Sequence, residues 1–334
     1  MATTSISDLW QPDLWVAGTL EKENSFAHLF NSPAVRESAR LTEFASGPGA
    51  TISMPFLDSI TDQADGIQVE STDIALQKHG SAISVAIACE REYGYQASAL
   101  AAQRSGTDPV GSMLSTLAAA RVKRRQAPML AMARGCFDTA LSANSNDNFV
   151  EVIGSQTADH LIDADMIIDA SNLLEELAMN GSETVLWMHP VIAGALRKQD
   201  ENSFKTTSTD GGLSITSYKG IQIYISKSLS RAGTTSGVVY DTYLMGNGVI
   251  GYGAKPQVGD SIDVASLQYD EKKSSNDSAV YDRCRYALHV DGMAYTGTPA
   301  GSSPTNAELQ VGASWALRYN SADRVRMVRI RSNG

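Results

Sequence analysis

The sequence has little cysteine. Only three occur in 334 residues, and Cys89, Cys136 and Cys284 lie far apart without the spacing of a metal site. Distant thiols of odd number favour buried, inert cysteines in a reducing compartment over a disulfide framework. The N-terminus shows no basic segment followed by an apolar run, so we expect no signal peptide.

Positive charge and long apolar runs are also scarce. The chain has 27 Lys and Arg against 37 Asp and Glu, which gives a net charge of −10. Tight DNA binding is disfavoured, because it depends on clustered cations that release phosphate counterions. No window approaches the roughly 18 apolar residues of a membrane helix, so no membrane association is expected. The hydrophobic content of 43% is ample for a packed core.

Catalytic motifs are absent as well. The chain has no G-x-S-x-G elbow, no H-E-x-x-H and no P-loop, and its five histidines show no paired spacing. Residues 246–251 match G-x-G-x-x-G, but Gly253 and Pro256 follow too closely for the helix that this fingerprint requires. One alternative is an enzyme in which His189 acts as a general base and Asp163 or Asp169 orients its ring. We therefore expect no catalytic residue, cofactor or metal.

The first 45 residues predict an extended arm. Trp10 and Trp15 flank the helix-breaking Pro12. An arm alone shields two indoles poorly from water, so they should dock either on the body of the same subunit or on a neighbour. A short helix is predicted at 33–41, with Ser32 as its cap.

Residues 46–90 predict a long two-stranded excursion. Apolar residues alternate with polar or small ones at 52–56 and again at 83–89, which is typical of half-buried strands. A two-stranded ribbon is marginally stable alone and needs a partner surface. The candidates for contact with another subunit are Phe56, Lys78 and His79, and the hinge candidates are Gly47 and Gly49.

Two helices are predicted after the excursion. An alanine-rich helix spans roughly 95–103. A long helix then starts with Asp108 as its capping residue and Pro109 at its first helical position, and it runs to about residue 141.

The middle of the long helix carries two unusual features. Pro128 removes a backbone hydrogen bond and should bend the helix. The basic cluster Lys123-Arg124-Arg125 has two interpretations: it contacts nucleic acid, or it faces solvent or a neighbouring subunit.

Residues 160–275 predict a compact α+β unit. Its expected elements are a helix capped by Asp163 and ended by Gly181, a strand at 185–188, a helix from Pro190 to about 198, a strand at 221–225, and a hairpin that joins 238–245 to 249–252 around Asn247-Gly248. The tail, 278–334, is strand-rich and should return to the sheet near the long helix.

The C-terminal quarter carries the most informative series of motifs. It contains Leu288-His289-Val290-Asp291-Gly292, then Ser303-Pro304-Thr305-Asn306-Ala307-Glu308-Leu309, and a final strand-like run at 325–330. This series resembles the end of tailed-phage major capsid proteins. Gly106-Thr107-Asp108-Pro109 resembles the start of their spine helix, and the likeness covers roughly residues 95–330.

The resemblance implies an α+β chain with the Hong Kong 97-type phage capsid fold. Its parts would be an N-terminal arm at 1–45, an E-loop-like β excursion at 46–90, an A-domain at 160–275, and a P-domain formed by 91–159 and 276–334. The spine helix of the P-domain would span about 108–141.

The implied function is self-assembly into hexamers and pentamers of an icosahedral head that encloses the double-stranded DNA genome. The implied partners are other copies of the chain, a separate scaffolding protein, a portal and a cement or decoration protein, with only weak, non-specific contact to the packaged DNA. The protein would be assembled in the host cytoplasm and reside in the virion. The alternatives are an encapsulin-like compartment shell and a small soluble hydrolase that uses His189.

Overall fold

The computed structural model describes residues 29–58, 67, 79–98, 109–138, 149–152, 161–174, 184–199, 203–208, 214–233, 237–254, 265–270 and 277–334. Of the candidate contact and helix-start residues named above, Trp10, Trp15, Lys78 and Asp108 lie outside this description.

Strands predominate in the described part of the chain. In chain order they are β1 (Val35–Glu37), β2 (Thr51–Leu57), β3 (Ser81–Ser98), β4 (Phe149–Val152), β5 (Thr184–Met188), β6 (Phe204–Ser208), β7 (Ser214–Tyr218), β8 (Ile221–Ile225), β9 (Ser230–Ala232), β10 (Val238–Gly246), β11 (Ile250–Ala254), β12 (Ala265–Asp270), β13 (Asp277–Val290), β14 (Met293–Tyr295), β15 (Trp315–Leu317) and β16 (Met327–Ser332). The helices are α1 (Ala39–Ser46), α2 (Pro109–Asp138), α3 (Ala164–Asn172), α4 (Pro190–Gln199) and α5 (Asn306–Leu309). Short 3-10 turns lie at Lys227–Leu229, Gly312–Ser314 and Asp323–Val325.

The strands form two mixed sheets. The first has the order β1-β11-β13-β3-β14-β15, with β12 paired to β13 and β2 paired to β3. Its centre is the long antiparallel pair β3–β13. The second has the order β4-β16-β10-β5-β8-β7-β6, with β9 paired to β10.

The long helix α2 shares a core with both sheets. One hydrophobic cluster contains Met129 and Phe137 from α2, Tyr286 from the first sheet, and Trp187 and Tyr243 from the second. All five side chains are fully buried. The α2 helix therefore packs on both sheets, which accounts for its burial from about Gln126 onward.

Several predicted elements are confirmed. The excursion is an antiparallel β2–β3 ribbon, with Met54 opposite Ser84. The α2 helix begins at Pro109 and continues through Pro128 as one helix. Asp163 caps α3 by accepting a hydrogen bond from the Ala164 N–H at 2.6 Å.

The predicted hairpin around Asn247-Gly248 is wrong. Gly248 has a φ of 72° and supplies the turn, but the flanking strands separate. Strand β10 pairs with β5, β9 and β16, whereas β11 pairs with β1 and β13. The turn thus carries the chain from one sheet to the other, because longer-range pairing outweighs the local hairpin preference.

Three predicted helix positions are also wrong. Of the helix predicted at about 95–103, residues 95–98 belong to strand β3 instead, because each of them pairs with a residue of β13. The first short helix occupies Ala39–Ser46, and Ser32 instead donates its hydroxyl to the Leu29 carbonyl and accepts a bond from the Trp187 indole. Helix α3 ends at Asn172, well before Gly181.

Candidate inter-subunit surfaces

The outer face of the β2–β3 ribbon is apolar and exposed. Pro55 pairs with Ile83 and Leu57 with Ser81, so these side chains share one face. Leu57 is 67% exposed and Ile83 is 53% exposed. Large apolar side chains that are exposed together on one face of a strand pair are typical of a surface that another protein covers.

Phe56 lies on the opposite, inner face of the ribbon. Its ring meets Tyr319 of the same chain edge-on, with centroids 5.3 Å apart. The Tyr319 hydroxyl donates a hydrogen bond of 2.8 Å to Asp291. Burial and this carboxylate raise the pKa of Tyr319, so the phenol stays a donor. The Phe56–Tyr319 pair fastens the ribbon to its own subunit.

The distal end of the ribbon is closed by backbone contacts. The Asp58 N–H donates to the Gly80 carbonyl at 3.1 Å, and His79 Nε2 donates to the Asp58 carbonyl at 2.6 Å. A Cβ at Gly80 would meet the end of the Asp58 side chain, which would have to move aside. His79, a predicted contact residue, therefore has a structural partner within its own chain.

The proximal end of the ribbon is held by Arg285. Its Nη2 donates to the Gly49 carbonyl at 2.7 Å, while its Nη1 lies 3.0 Å from the Glu90 carboxylate. Gly49 has a φ of 102°, which favours glycine, whereas Gly47 has an ordinary extended conformation. Of the two hinge candidates, only Gly49 has a backbone that requires glycine, and Arg285 restrains it.

The basic cluster of α2 contacts the first sheet. The Arg124 guanidinium lies 3.7 Å from the centroid of the Tyr93 ring, and Arg125 donates to the Tyr252 hydroxyl at 2.8 Å. Stacking of arginine on tyrosine is favourable where water is largely excluded. These two arginines join the helix to the sheet.

A buried carboxylate joins α2 to the second sheet. Asp241 on β10 is fully buried and lies within 3.2 Å of Arg134, 3.4 Å of Arg231 and 3.9 Å of Arg331. Sequence reasoning missed this cluster. The sequence does contain a signal for it, since Asp241 stands inside the apolar strand pattern at 238–245. A carboxylate buried in such a strand requires a charged or hydrogen-bonding partner.

The C-terminal motif at 303–309, which resembles that of phage capsid proteins, is hydrogen-bonded to β3. Arg91 donates to the Ser303 hydroxyl at 2.9 Å, to the Pro304 carbonyl at 2.8 Å and to the Asn306 side chain at 3.2 Å. Thr305 and Glu308 form a capping box at the start of α5. The backbone N–H of Thr305 is the main cause of the lowered pKa of Glu308.

The α5 segment lies directly against α2. The Trp315 indole donates to the Leu309 carbonyl at 2.9 Å. A Cβ at Gly135 would overlap both of these groups, so glycine on α2 allows the contact. The Ser-Pro-Thr-Asn motif therefore serves to connect the ribbon strand β3 with the long helix.

Two of the described histidines, His289 and His189, contact other side chains of the same chain. His289 Nε2 lies 2.5 Å from the Ser84 hydroxyl, but Ser84 is buried and donates its proton to the Met293 carbonyl. Burial lowers the pKa of His289 to about 4. The His189 ring lies tilted against the Tyr240 ring, with centroids 4.7 Å apart. Burial and, as a smaller cause, the charge of Lys227 lower the pKa of His189.

The cysteines are buried and free of disulfides, as expected. Burial raises the pKa of Cys89 to about 12 and also raises that of Cys136, which suppresses the reactive thiolate. Within the described ranges, no group of three or more His, Cys, Asp or Glu side chains could hold a metal ion. No helix among these residues is long and apolar enough to cross a membrane.

Comparison with known proteins finds similarity both in sequence and in structure. No protein-family model matches the chain. The major capsid protein of Bacillus phage SPP1 is 26% identical over 325 residues, covering 96% of this chain and 95% of that protein. A solved capsid chain of Ralstonia phage GP4 has a TM-score of 0.59 at 10% identity, covering 99% of this chain and 98% of that one. A chain of Mycobacterium phage Ogopogo has a TM-score of 0.53 at 13% identity, covering 99% of both.

The α+β architecture is thus the Hong Kong 97-type capsid fold of tailed phages. Together with the sequence relative, it identifies the chain as a phage major capsid protein, a structural coat component of the virion. The resemblance and the predicted role as a phage coat protein are confirmed. The encapsulin-like and hydrolase alternatives find no support in these similarities.

Proposed function

We propose that the chain assembles with copies of itself into hexamers and pentamers of an icosahedral head that encloses double-stranded DNA. Assembly in the host cytoplasm around a separate scaffolding protein, with a portal and a cement or decoration protein, belongs to the same proposal. The acidic balance of −10 favours weak, non-specific contact with the packaged DNA.

The exposed apolar face of the β2–β3 ribbon is the observation that carries this function. Leu57 and Ile83 are more than half exposed, whereas Phe56 lies against Tyr319 of the same chain. A neighbouring subunit that covers this face would remove the apolar area from water and stabilise the assembly.

The same proposal divides the chain into an arm (1–45), an E-loop (46–90), a P-domain (91–159 with 276–334) and an A-domain (160–275). Trp10, Trp15, Phe56, Lys78 and His79 remain candidates for inter-subunit contacts. Alanine substitution at each, followed by an assembly assay, tests them singly.

The first experiment measures particle size by light scattering and negative-stain microscopy, with and without the co-expressed scaffolding protein. Closed shells, or five- and six-membered rings, are the expected products. A subunit that remains monomeric or dimeric even with its scaffold contradicts the proposal.

The ribbon's role is tested with Leu57→Asp and the matched control Leu57→Met. A carboxylate at a covered apolar position is costly to desolvate, so Leu57→Asp should reduce shell yield about tenfold or more, while Leu57→Met assembles normally. Normal shells from Leu57→Asp would show that the outer face is not an interface.

A further inference from the structure

Strand β2 has one edge that no other strand covers. The strand spans seven residues, Thr51–Leu57, and it pairs with β3 alone among the described strands. An unpaired strand edge presents a row of backbone N–H and C=O groups, with which a strand of another chain can pair. We call this side of the strand the free edge of β2.

The hydrogen bonds of the ribbon show which residues face the free edge. The Ala88 N–H donates to the Ala50 carbonyl at 2.8 Å, and the Asp58 N–H donates to the Gly80 carbonyl at 3.1 Å. In an antiparallel pair only every second residue of a strand bonds to the partner strand. The even-numbered residues of β2 therefore bond to β3. The odd-numbered residues turn their backbone groups to the free edge, and they are Thr51, Ser53, Pro55 and Leu57.

Pro55 is one of these outward-facing residues. Proline has no N–H, but at this position the missing donor costs the β2–β3 pair nothing. The free edge instead loses a donor near its middle, and the pyrrolidine ring occupies that place. None of the described residues bonds to the N–H groups of Thr51, Ser53 or Leu57. The edge thus keeps donors on both sides of a gap at Pro55.

No charge protects this edge. Residues 44–57 contain no Asp, Glu, Lys or Arg. The outer face of the ribbon adds the exposed side chains of Leu57 and Ile83. Uncharged, exposed strands with apolar side chains tend to associate with one another, and proteins commonly block them with a charge or a proline. Within β2, Pro55 is the residue that can have this role.

The partner that fits the free edge is a second copy of β2. Two such strands can lie antiparallel about a two-fold axis between their Met54 residues, with Thr51 opposite the partner's Leu57 and Ser53 opposite the partner's Pro55. Each Pro55 then leaves the facing Ser53 carbonyl without a donor, at the bonds nearest the axis. A shift by two residues only places Pro55 opposite another carbonyl, so the gap remains.

We propose that Pro55 prevents two copies of the chain from pairing through the free edges of β2. A pair of this kind would be a closed dimer, because a two-fold contact uses the same edge on both copies. It would withdraw the ribbons of both copies from other contacts. The inference concerns the isolated subunit, and it holds whether or not the chain forms shells.

The first test replaces Pro55 by valine and measures dimerisation by sedimentation velocity, in the absence of a scaffolding protein. Valine restores the donor and favours the strand conformation, so Pro55→Val should dimerise about tenfold more tightly, or more, than the unmodified chain. Ser53→Val is the matched control. It adds the same side chain at an exposed residue of the same edge but keeps Pro55, so its dimerisation should not change.

The second test traps the pair in its expected register. The two Met54 residues would face each other in a non-hydrogen-bonded pair with their Cα atoms about 4.5 Å apart, which suits a disulfide. Oxidation of Met54→Cys/Pro55→Val should give a covalent dimer on a non-reducing gel, whereas Met54→Cys alone should give about tenfold less or none. The native cysteines are buried, so they do not compete for this bond.

The outcomes are distinct from those of shell assembly. If Pro55→Val dimerises no more than the unmodified chain, Pro55 does not block the edge. Equal dimerisation of Pro55→Val and Ser53→Val overturns the inference as well, because apolar surface and not the missing donor would then be the cause. Circular dichroism and thermal unfolding check that the variants fold, and Pro55→Thr, which restores the donor with a more polar side chain, should repeat the result. All of these measurements use subunits without shells, so a failure of assembly leaves them readable.

Discussion

At the scale of single residues, buried charge joins the parts of the subunit. Asp241 touches arginines from α2, β9 and β16, so one side chain holds three elements together. Arg285 has a comparable role at the ribbon, where it binds both the Gly49 carbonyl and Glu90. Such pairs fix the geometry of the fold. Removing one partner leaves a buried charge uncompensated, and this costs much more free energy than the intact pair contributes to stability.

Asp241→Asn should destabilise the subunit by about 3–5 kcal/mol, because it leaves the surrounding arginines buried without their counter-charge. Urea unfolding followed by circular dichroism measures the change. Glu92→Gln is the control, since Glu92 pairs with Arg283 at the surface with its side chain 83% exposed, and its loss should change little. Similar midpoints for both variants would show that Asp241 is not the joining residue.

His289 should make stability depend on pH. Burial lowers its pKa from 6.5 to about 4, so between these values the unfolded chain binds a proton that the folded chain does not. The free energy of unfolding should therefore be highest, as far as His289 is concerned, above about pH 6.5. It should fall as the pH decreases, by about 3 kcal/mol at pH 4.

The measurement is urea unfolding at intervals from pH 7 to pH 4 for the unmodified protein and for His289→Gln. The glutamine variant should lose this part of the pH slope, whatever its stability at pH 7. Parallel slopes for the two proteins would show that His289 titrates normally in the fold.

At the scale of elements, local signals predicted what lies within one element and failed where distant elements compete. Pro109 marks the start of α2 and Asp163 caps α3, because caps and prolines act within one turn. The alanine-rich stretch after Tyr95 favours a helix by local propensity, yet pairing with β13 extends strand β3 through Ser98. Asn247-Gly248 makes its turn, but the partners of both flanking strands lie elsewhere in the sequence.

The same reasoning applies to the candidate surfaces. The alternation at 52–56 predicted a ribbon with two unlike faces, and the structure shows Phe56 on the inner face and Leu57 on the outer one. Which face remains exposed depends on Tyr319, more than 260 residues away, and no local pattern reports such a contact.

The contact between α2 and α5 should be sensitive to one methyl group. Gly135→Ala should destabilise the subunit by about 1–3 kcal/mol, because its Cβ would overlap the Leu309 carbonyl and the Trp315 indole. Gly194→Ala is the matched control: it lies in α4, has nothing within 4 Å of its added Cβ, and should stabilise by about 0.5–1 kcal/mol. Thermal unfolding of both variants should give shifts of opposite sign, and a neutral Gly135→Ala would show that α5 can move away.

At the scale of the whole molecule, the chain repeatedly crosses between the two sheets. Strand β11 leaves the second sheet's neighbourhood to pair with β13, and the C-terminal strand β16 inserts between β4 and β10. The largest hydrophobic cluster draws on both sheets and on α2. The two sheets and α2 are therefore packed as one unit around a common cluster.

This shared core predicts that the isolated subunit unfolds in a single cooperative transition. Neither sheet can lose its packing without exposing side chains such as Trp187 of the second sheet and Tyr286 of the first, which belong to one cluster. Urea curves followed by tryptophan fluorescence and by far-ultraviolet circular dichroism should coincide. Amides of β5 and β13 should exchange hydrogen through the same global opening. Two separated transitions would show instead that the two sheets unfold independently, and that the core between them contributes little to the stability of either.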